Sequence, residues 1–515
     1  MRRRNLSTFG GGKELEGYLA FEVLTQTAFK FTGTNSNTLQ YSINGNEWQG
    51  LTNNTYTSKL NQGDKIYFKG TCTPSTSSPY GIGTFASNGG TWNVKGTPMS
   101  LLYGDNFSGK TSLLGKDYAF YNLFKSCTSL KSAENLSLPA TILETNCYYG
   151  MFYGCTSLTK APTTLPATTL ATYCYCMMFQ GCSYLTTAPT TLPATTLKER
   201  CYSGMFHGCT GLRTAPSLPA TTLAKNCYYS MFNGCSSLRT APTLPATTLA
   251  SGCYYSMFNG CSYLTTAPTL PATTLTYECY AYMFYKCTRL TTAPVLPATT
   301  LASYCYLDMF SGCTSLTTAP ELPATTLYYR CYDEMFSGTN LLPDCSNIDF
   351  SSPTVVASQG LFGLFDGTKL TDSQLDTILK SHGITNYSLP ATTLADECYY
   401  SMFKGCTNLT TAPSLPATTL KSGCYSYMFQ GCTNLTTAPS LPATALASKC
   451  YAYMFNSCTN LSSITCLATT ISASGCTTKW VSGVAASGTF TKASSMTSWT
   501  TGVDGIPSGW TVQDA

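Results

Sequence analysis

The sequence predicts a mainly β solenoid of about 13 coils, preceded by a β-sandwich-like domain and closed by a C-terminal cap. Two observations predict it. A block of about 26 residues, Leu-Pro-Ala-Thr-Thr-Leu-x-x-x-Cys-Tyr-x-x-Met-Phe-x-Gly-Cys-x-x-Leu-Thr-Thr-Ala-Pro, recurs in tandem from about residue 119 to 475. Near-identical blocks of this length cannot bury an apolar face alone, so each must stack on the next. Charged residues make up only 10% of the 515, against roughly a quarter in ordinary proteins. The exterior is therefore built from threonine, serine, asparagine and many of the 36 tyrosines.

The first cysteine of each block sets the register: Cys147, Cys174, Cys201, Cys227, Cys253, Cys279, Cys305, Cys331, Cys398, Cys424 and Cys450. The steps are 27, 27, then 26 five times, a gap of 67, and 26 twice. One extra threonine, in Thr163-Thr164 and Thr190-Thr191, accounts for each 27. Met151, Phe152, Cys155, Leu158, Ala161, Leu165 and Leu170 are the apolar slots of one coil. Short extended stretches are expected around Leu-Thr-Thr-Ala-Pro and Ala-Thr-Thr-Leu. A single helical turn is expected at Cys-Tyr-x-x-Met-Phe, which is too short for a longer helix. The two prolines per coil suit corners, since they donate nothing to a ladder.

These motifs resemble the BspA-type leucine-rich repeat, with Met-Phe-x-Gly-Cys-x-x-Leu at Met231 to Leu238 and a Leu-Pro corner at Leu244-Pro245. The Cys-Tyr pair departs from the family, which more often has an aliphatic residue and glycine there. The resemblance covers about 350 residues and implies a leucine-rich-repeat solenoid over 104–475. It also implies, by analogy alone, a bacterial or phage-associated surface protein.

The 27 cysteines invite a disulfide framework, but their placement favours reduced core ladders. Ala119 stands in the first slot beside Cys127, Thr339 replaces the partner of Cys331, and Thr368 and Val484 fill other second slots. Obligate pairing would strand thiols at each swap, whereas a free thiol packs as a small hydrophobe. Disulfides remain the alternative. A metal is disfavoured by the Cys-x7-Cys spacing, which lacks Cys-x2-Cys knuckles.

Within the 67-residue gap, Leu364-Phe365-Asp366-Gly367-Thr368-Lys369-Leu370 repeats the coil motif, with Gly360 at the first cysteine slot. An insertion follows, for which Thr371-Asp372-Ser373-Gln374 as a capping box and Gly383 as a stop predict an amphipathic helix near 371–383. Residues 1–17, with Arg2-Arg3-Arg4 and Gly10-Gly11-Gly12, read as a flexible basic tail. Residues 18–103 alternate strand candidates with turns: Ala28–Phe31, Leu39–Ile43, Lys65–Phe68 and Thr91–Val94. Asn44-Gly45 marks a hairpin between Ile43 and Trp48. Residues 476–515 drift out of register and supply Trp499 and Trp510 to cover the last coil.

For function, the exclusions come first. A net charge of +5 without a basic stripe argues against nucleic acid. No secretory leader follows the arginines, and no 18-residue apolar run suggests a membrane span. His207 and His382 sit in no recognisable triad, Asp333-Glu334 reads as a solvated pair, and no phosphate loop appears. The chain is expected to be no enzyme, and to need no metal or cofactor. The tyrosine after each first cysteine forms a column. Its plain reading is a ring stack between coils. Its functional reading is a ligand-binding face at Tyr228, Tyr254, Tyr280 and Tyr306, offered to a glycan.

Two settings fit a binding protein. Met1-Arg2-Arg3-Arg4, Met99–Phe107 and Gly505–Val512 resemble segments of proteins coded by phages and prophages of gut bacteria. That resemblance implies a virion protein (tail, fibre or capsid decoration), made in the host cytoplasm, where thiols stay reduced. Residues 1–103 would attach it to other virion proteins, and the solenoid would bind host cell-surface polysaccharide or protein. The alternative is a bacterial cell-surface adhesin of the same repeat class, extracellular or on the cell surface.

Overall fold

Alternating apolar residues build the first strands. Strand β1 (Leu19–Val23) pairs antiparallel with β5 (Lys65–Lys69) and β7 (Trp92–Gly96). Beyond β5 lie β3 (Gln40–Ile43) and β4 (Gln49–Gly50). The turn between β3 and β4 places Asn44 and Gly45 at φ 53° and 75°, as a hairpin turn with two left-handed residues requires. A second layer, β2 (Phe29–Thr32) paired with β6 (Thr84–Ser87), closes over the sheet. Phe21 meets Phe29, Phe85 and Trp92 with ring centroids 4.9, 5.0 and 4.5 Å away. These layers are a six-stranded sheet and a two-stranded ribbon.

The sixth strand comes from the repeat array. Strand β8 (Leu130–Leu136), in the first coil, pairs in parallel with β7. Phe124 stacks 5.9 Å from Phe85, and the Cys127 thiol donates to the Phe85 carbonyl at 3.2 Å. The N-terminal layers therefore cap the first coil as well as forming their own core.

The structure, a computed structural model, describes residues 14–33, 38–316, 320–324, 327–339, 362–368, 372–373, 387–389 and 391–515. They fall into two compact units, Met1–Leu244 and Pro245–Ala515, divided inside the repeat array. In both units successive coils join through isolated parallel bridges at their threonine stretches, among them Thr214 to Thr240 and Thr196 to Thr222, and Thr266 to Thr292 and Thr274 to Thr300.

The Cys-Tyr-x-x-Met-Phe segment is not helical, which corrects the expected turn of helix. It is a ribbon of overlapping β-turns. Tyr149, Met151, Tyr153 and Cys155 donate to residues three back, while Tyr148, Gly150, Phe152 and Gly154 donate to the next coil. Every fourth residue is left-handed: Asn146, Gly150 and Gly154 at φ 58°, 56° and 70°. Stacking coils claim alternate N–H groups, so the successive bonds of a helix cannot form.

All described cysteines are free and buried. The second cysteine of a coil donates to the phenylalanine carbonyl of the coil before it: Cys182 to Phe152 and Cys209 to Phe179 at 3.1 Å, Cys313 to Phe284 and Cys432 to Phe403 at 3.0 Å. Burial pushes the Cys313 thiol up to about 12. Where threonine replaces cysteine the slot stays filled: Thr339 donates to the Phe336 carbonyl at 2.8 Å, and Thr368 lies 3.6 Å from the Cys406 sulfur.

The divergent coil takes its place in the stack. Gly363, Phe365 and Gly367 donate to Tyr400, Met402 and Lys404, and Phe365 stacks 5.7 Å from Phe403. Gly360, the basic tail to residue 13 and, apart from Asp372 and Ser373, the helix expected near 371–383 lie outside the described residues. At the C-terminal end, β9 (Ser463–Cys466), β10 (Thr489–Lys492) and β11 (Thr511–Asp514) form a parallel sheet. Trp480 occupies a coil position and Trp499 stacks 5.7 Å beyond it. Among the described residues no helix is long and apolar enough to cross a membrane.

Candidate binding surface

The tyrosine column lies inside the coils, so its functional reading is corrected. Tyr228 is 2% exposed, and Tyr254, Tyr280 and Tyr306 are each 1% exposed. Tyr254 and Tyr280 stack 5.8 Å apart with planes 5° from parallel; Tyr280 and Tyr306 are 5.9 Å apart. Rings buried to this degree present no face to a glycan. The hydroxyls of Tyr148, Tyr175, Tyr202, Tyr280 and Tyr399 are also buried and have no protein hydrogen-bond partner.

The outer side of the turn ribbon is where the coils differ. In the two positions after Cys-Tyr, one residue is commonly large and the other small. Tyr149-Gly150, Tyr255-Ser256 and Tyr400-Ser401 put the ring first; Ala281-Tyr282, Ser426-Tyr427 and Ala452-Tyr453 put it second. These large side chains are half-buried and stack along the ribbon. Tyr121 lies 4.9 Å from Tyr149 in the first unit. In the second, Phe362, Tyr400, Tyr427 and Tyr453 succeed one another at 4.4, 5.1 and 4.6 Å. The entry to the ribbon adds exposed Tyr277, Tyr328 and Tyr329. By contrast, Leu-Pro-Ala-Thr-Thr-Leu hardly changes from coil to coil.

Charge gathers on the same side at Asp308, Asp333, Glu334 and Asp366. The Arg330 guanidinium lies 2.9 Å from Asp333 and 4.2 Å over the Phe362 ring, and Lys404 lies 3.0 Å from Asp366. Burial, with Glu334, Asp308 and Asp366 nearby, outweighs Arg330 and raises the Asp333 carboxyl to about 8. Asp308 is raised to about 6, first by burial and then by Glu334. The pair Asp333-Glu334 is therefore not simply solvated, because Asp333 is packed between coils at 3% exposure. His207 is half-buried on the ribbon, and burial lowers its pKa. Among the described residues no group of three histidine, cysteine or acidic side chains is arranged to hold a metal ion.

Sequence reasoning singled out the constant tyrosine of each coil and passed over the variable ones. The missed signal is in the repeat itself: constancy marks positions that face identical neighbours, and variation marks the outer side.

The coil geometry defines a leucine-rich-repeat protein, and comparison with known proteins agrees. The BspA type leucine rich repeat region, in six copies, matches residues 116–239, 202–340 and 376–478. The chain belongs to the BspA-type leucine-rich-repeat family. No protein of curated function matches it significantly. A solved leucine-rich repeat protein from Bacteroides ovatus is similar over 72% of this chain and 87% of its own, at 15% identity and a TM-score of 0.37.

Proposed function

We propose that this chain is a non-enzymatic binding protein that uses the outer side of its turn ribbons to engage polysaccharide or protein on a bacterial cell. The observation that carries this is the contrast between faces. Coils nearly identical elsewhere differ along the ribbon, in tyrosines, hydroxyls and charges of the kind enriched in paratopes. Repeated weak contacts gain avidity on a polymer that spans several coils. The setting proposed is a phage virion, with residues 1–103 joined to other virion proteins. A core of free thiols suits assembly in a reducing cytoplasm and release by lysis.

Labelled full-length protein should bind intact host bacteria, and periodate oxidation or protease shaving of the cells should abolish binding. A chain that binds no cells rejects the reading. Mass spectrometry of purified particles should find the chain at fixed stoichiometry; its absence removes the virion setting.

A further inference from the structure

Where the ribbon ring moves from the first variable position to the second, a cleft opens. Tyr400 is the last ring in the first position, and Ser426, Ala452 and Thr478 follow it with small side chains. Tyr427 and Tyr453, in the second position, stack 4.6 Å apart and planes 5° from parallel. On the other side, Glu397, Gly423 and Lys449 occupy the position before Cys-Tyr in three successive coils. These nine residues line a cavity of about 370 Å³, at the small end of ligand-binding pockets.

From this geometry we infer that the cleft is a pyranose-binding subsite for a neutral cell-surface glycan; the inference rests on the ribbon reading above. A sugar ring presents C–H groups and hydroxyls together. Tyr427, held between Tyr400 and Tyr453 at 5.1 and 4.6 Å, offers its edge to the cleft, and the sugar C–H groups lie along this tyrosine wall and Ala452. The hydroxyls meet the Glu397 carboxylate, the Lys449 ammonium and the Thr478 hydroxyl, all lining one space, while the buried Ser426 hydroxyl donates to the Lys449 carbonyl at 2.6 Å and holds that wall in place. Opposite charges on one wall disfavour a strongly charged ligand, which one of them would repel. The cavity has room for roughly one or two pyranose rings. Gly423 keeps the charged wall open: a Cβ there would come within 2.9 Å of the Glu397 side chain.

The test uses the full chain, titrated by calorimetry and saturation-transfer NMR with maltotetraose, mannotetraose, galactotetraose and chitotetraose, and with an unstructured tetrapeptide. At least one tetrasaccharide should bind. Tyr453→Ala and the cleft-filling Thr478→Trp should each weaken it at least about tenfold, a loss of about 1.4 kcal/mol. Tyr453→Phe should not, nor should Val295→Ala, at an exposed position outside the cleft lining, and thermal melts establish that each variant is folded. Overturning results are no tetrasaccharide binding, binding unchanged in both Tyr453→Ala and Thr478→Trp, or a cleft that takes only the peptide. If both cleft variants still bind bacteria like the parent chain and no sugar binds, the subsite fails while the ribbon reading stands. If the parent chain binds no cells, the ribbon reading fails on its own.

Discussion

At the scale of the residue, the buried tyrosines and thiols are explained by packing. A ring such as Tyr175, stacked 5.4 and 5.7 Å from Tyr148 and Tyr202, contributes through its faces. Its hydroxyl has no protein partner. Tyr175→Phe should therefore leave stability unchanged or raise it by about 1 kcal/mol, whereas Tyr175→Ala should cost about 3–5 kcal/mol; guanidinium unfolding reads both. Burial raises the pKa of the thiols in both columns, as at Cys182 and Cys227. Iodoacetamide at pH 8 should label almost none of the described cysteines in the native protein and all of them after denaturation. Asp333 has a pH signature of definite sign. Its folded pKa lies near 8 and its unfolded pKa near the ordinary value of about 3.9. Between these values the folded chain holds a proton that the unfolded chain releases, so stability is full below about pH 4 and falls as pH rises toward 8. Asp333→Asn should flatten that fall in melts across the window; an unchanged slope counts against it.

At the scale of the element, the turn ribbon replaces a helix because coil stacking takes every second N–H. Far-ultraviolet circular dichroism should accordingly show little helix. The left-handed positions are the ribbon's weak points. Gly208 has φ 73° and space for a Cβ, which would lie 3.7 Å from the Gly181 Cα, so only backbone strain opposes substitution. Gly208→Asn should cost less than about 1 kcal/mol, because asparagine tolerates this region, and Gly208→Val about 2 kcal/mol. Equal losses in urea melts would remove the strain argument. Ser126, Lys286 and Ser457, at φ 60°, 56° and 63°, already fill the equivalent position in their coils, and asparagine fills another left-handed ribbon position at Asn146 and Asn226.

At the scale of the whole molecule, a stack of coils needs both ends covered. The Phe85 carbonyl supplies to Cys127 the acceptor that a preceding coil supplies elsewhere. Trp480, Trp499 and Phe490 cover the other end with rings 5.5 to 6.2 Å apart. A chain truncated after residue 475 should expose the 451–458 coil and become insoluble or bind a hydrophobic dye; a monodisperse, stable truncation would show that the cap is dispensable. Deleting residues 1–103 would uncover Phe124 in the same way, so attachment of this region to a particle is better tested by surface substitutions than by deletion.

The period, the coil's apolar slots, the Asn44-Gly45 hairpin, the swaps of cysteine for threonine and the tryptophan cap were all legible in the chain, since each depends on local chemistry or on strict repetition. Strands β1 and β6 were not read, nor was the joining of β7 to β8, because that pairing brings together residues about 40 apart in sequence. The face occupied by each tyrosine was equally hidden. Cys-Tyr-x-x-Met-Phe has no helical or strand period from which direction can be read. Only the alternation of hydrogen bonds within a coil and to the next turns the constant ring inward and the variable one outward. Sequence determined that identical surfaces would stack; the tertiary structure decided which side of each coil was left over to bind.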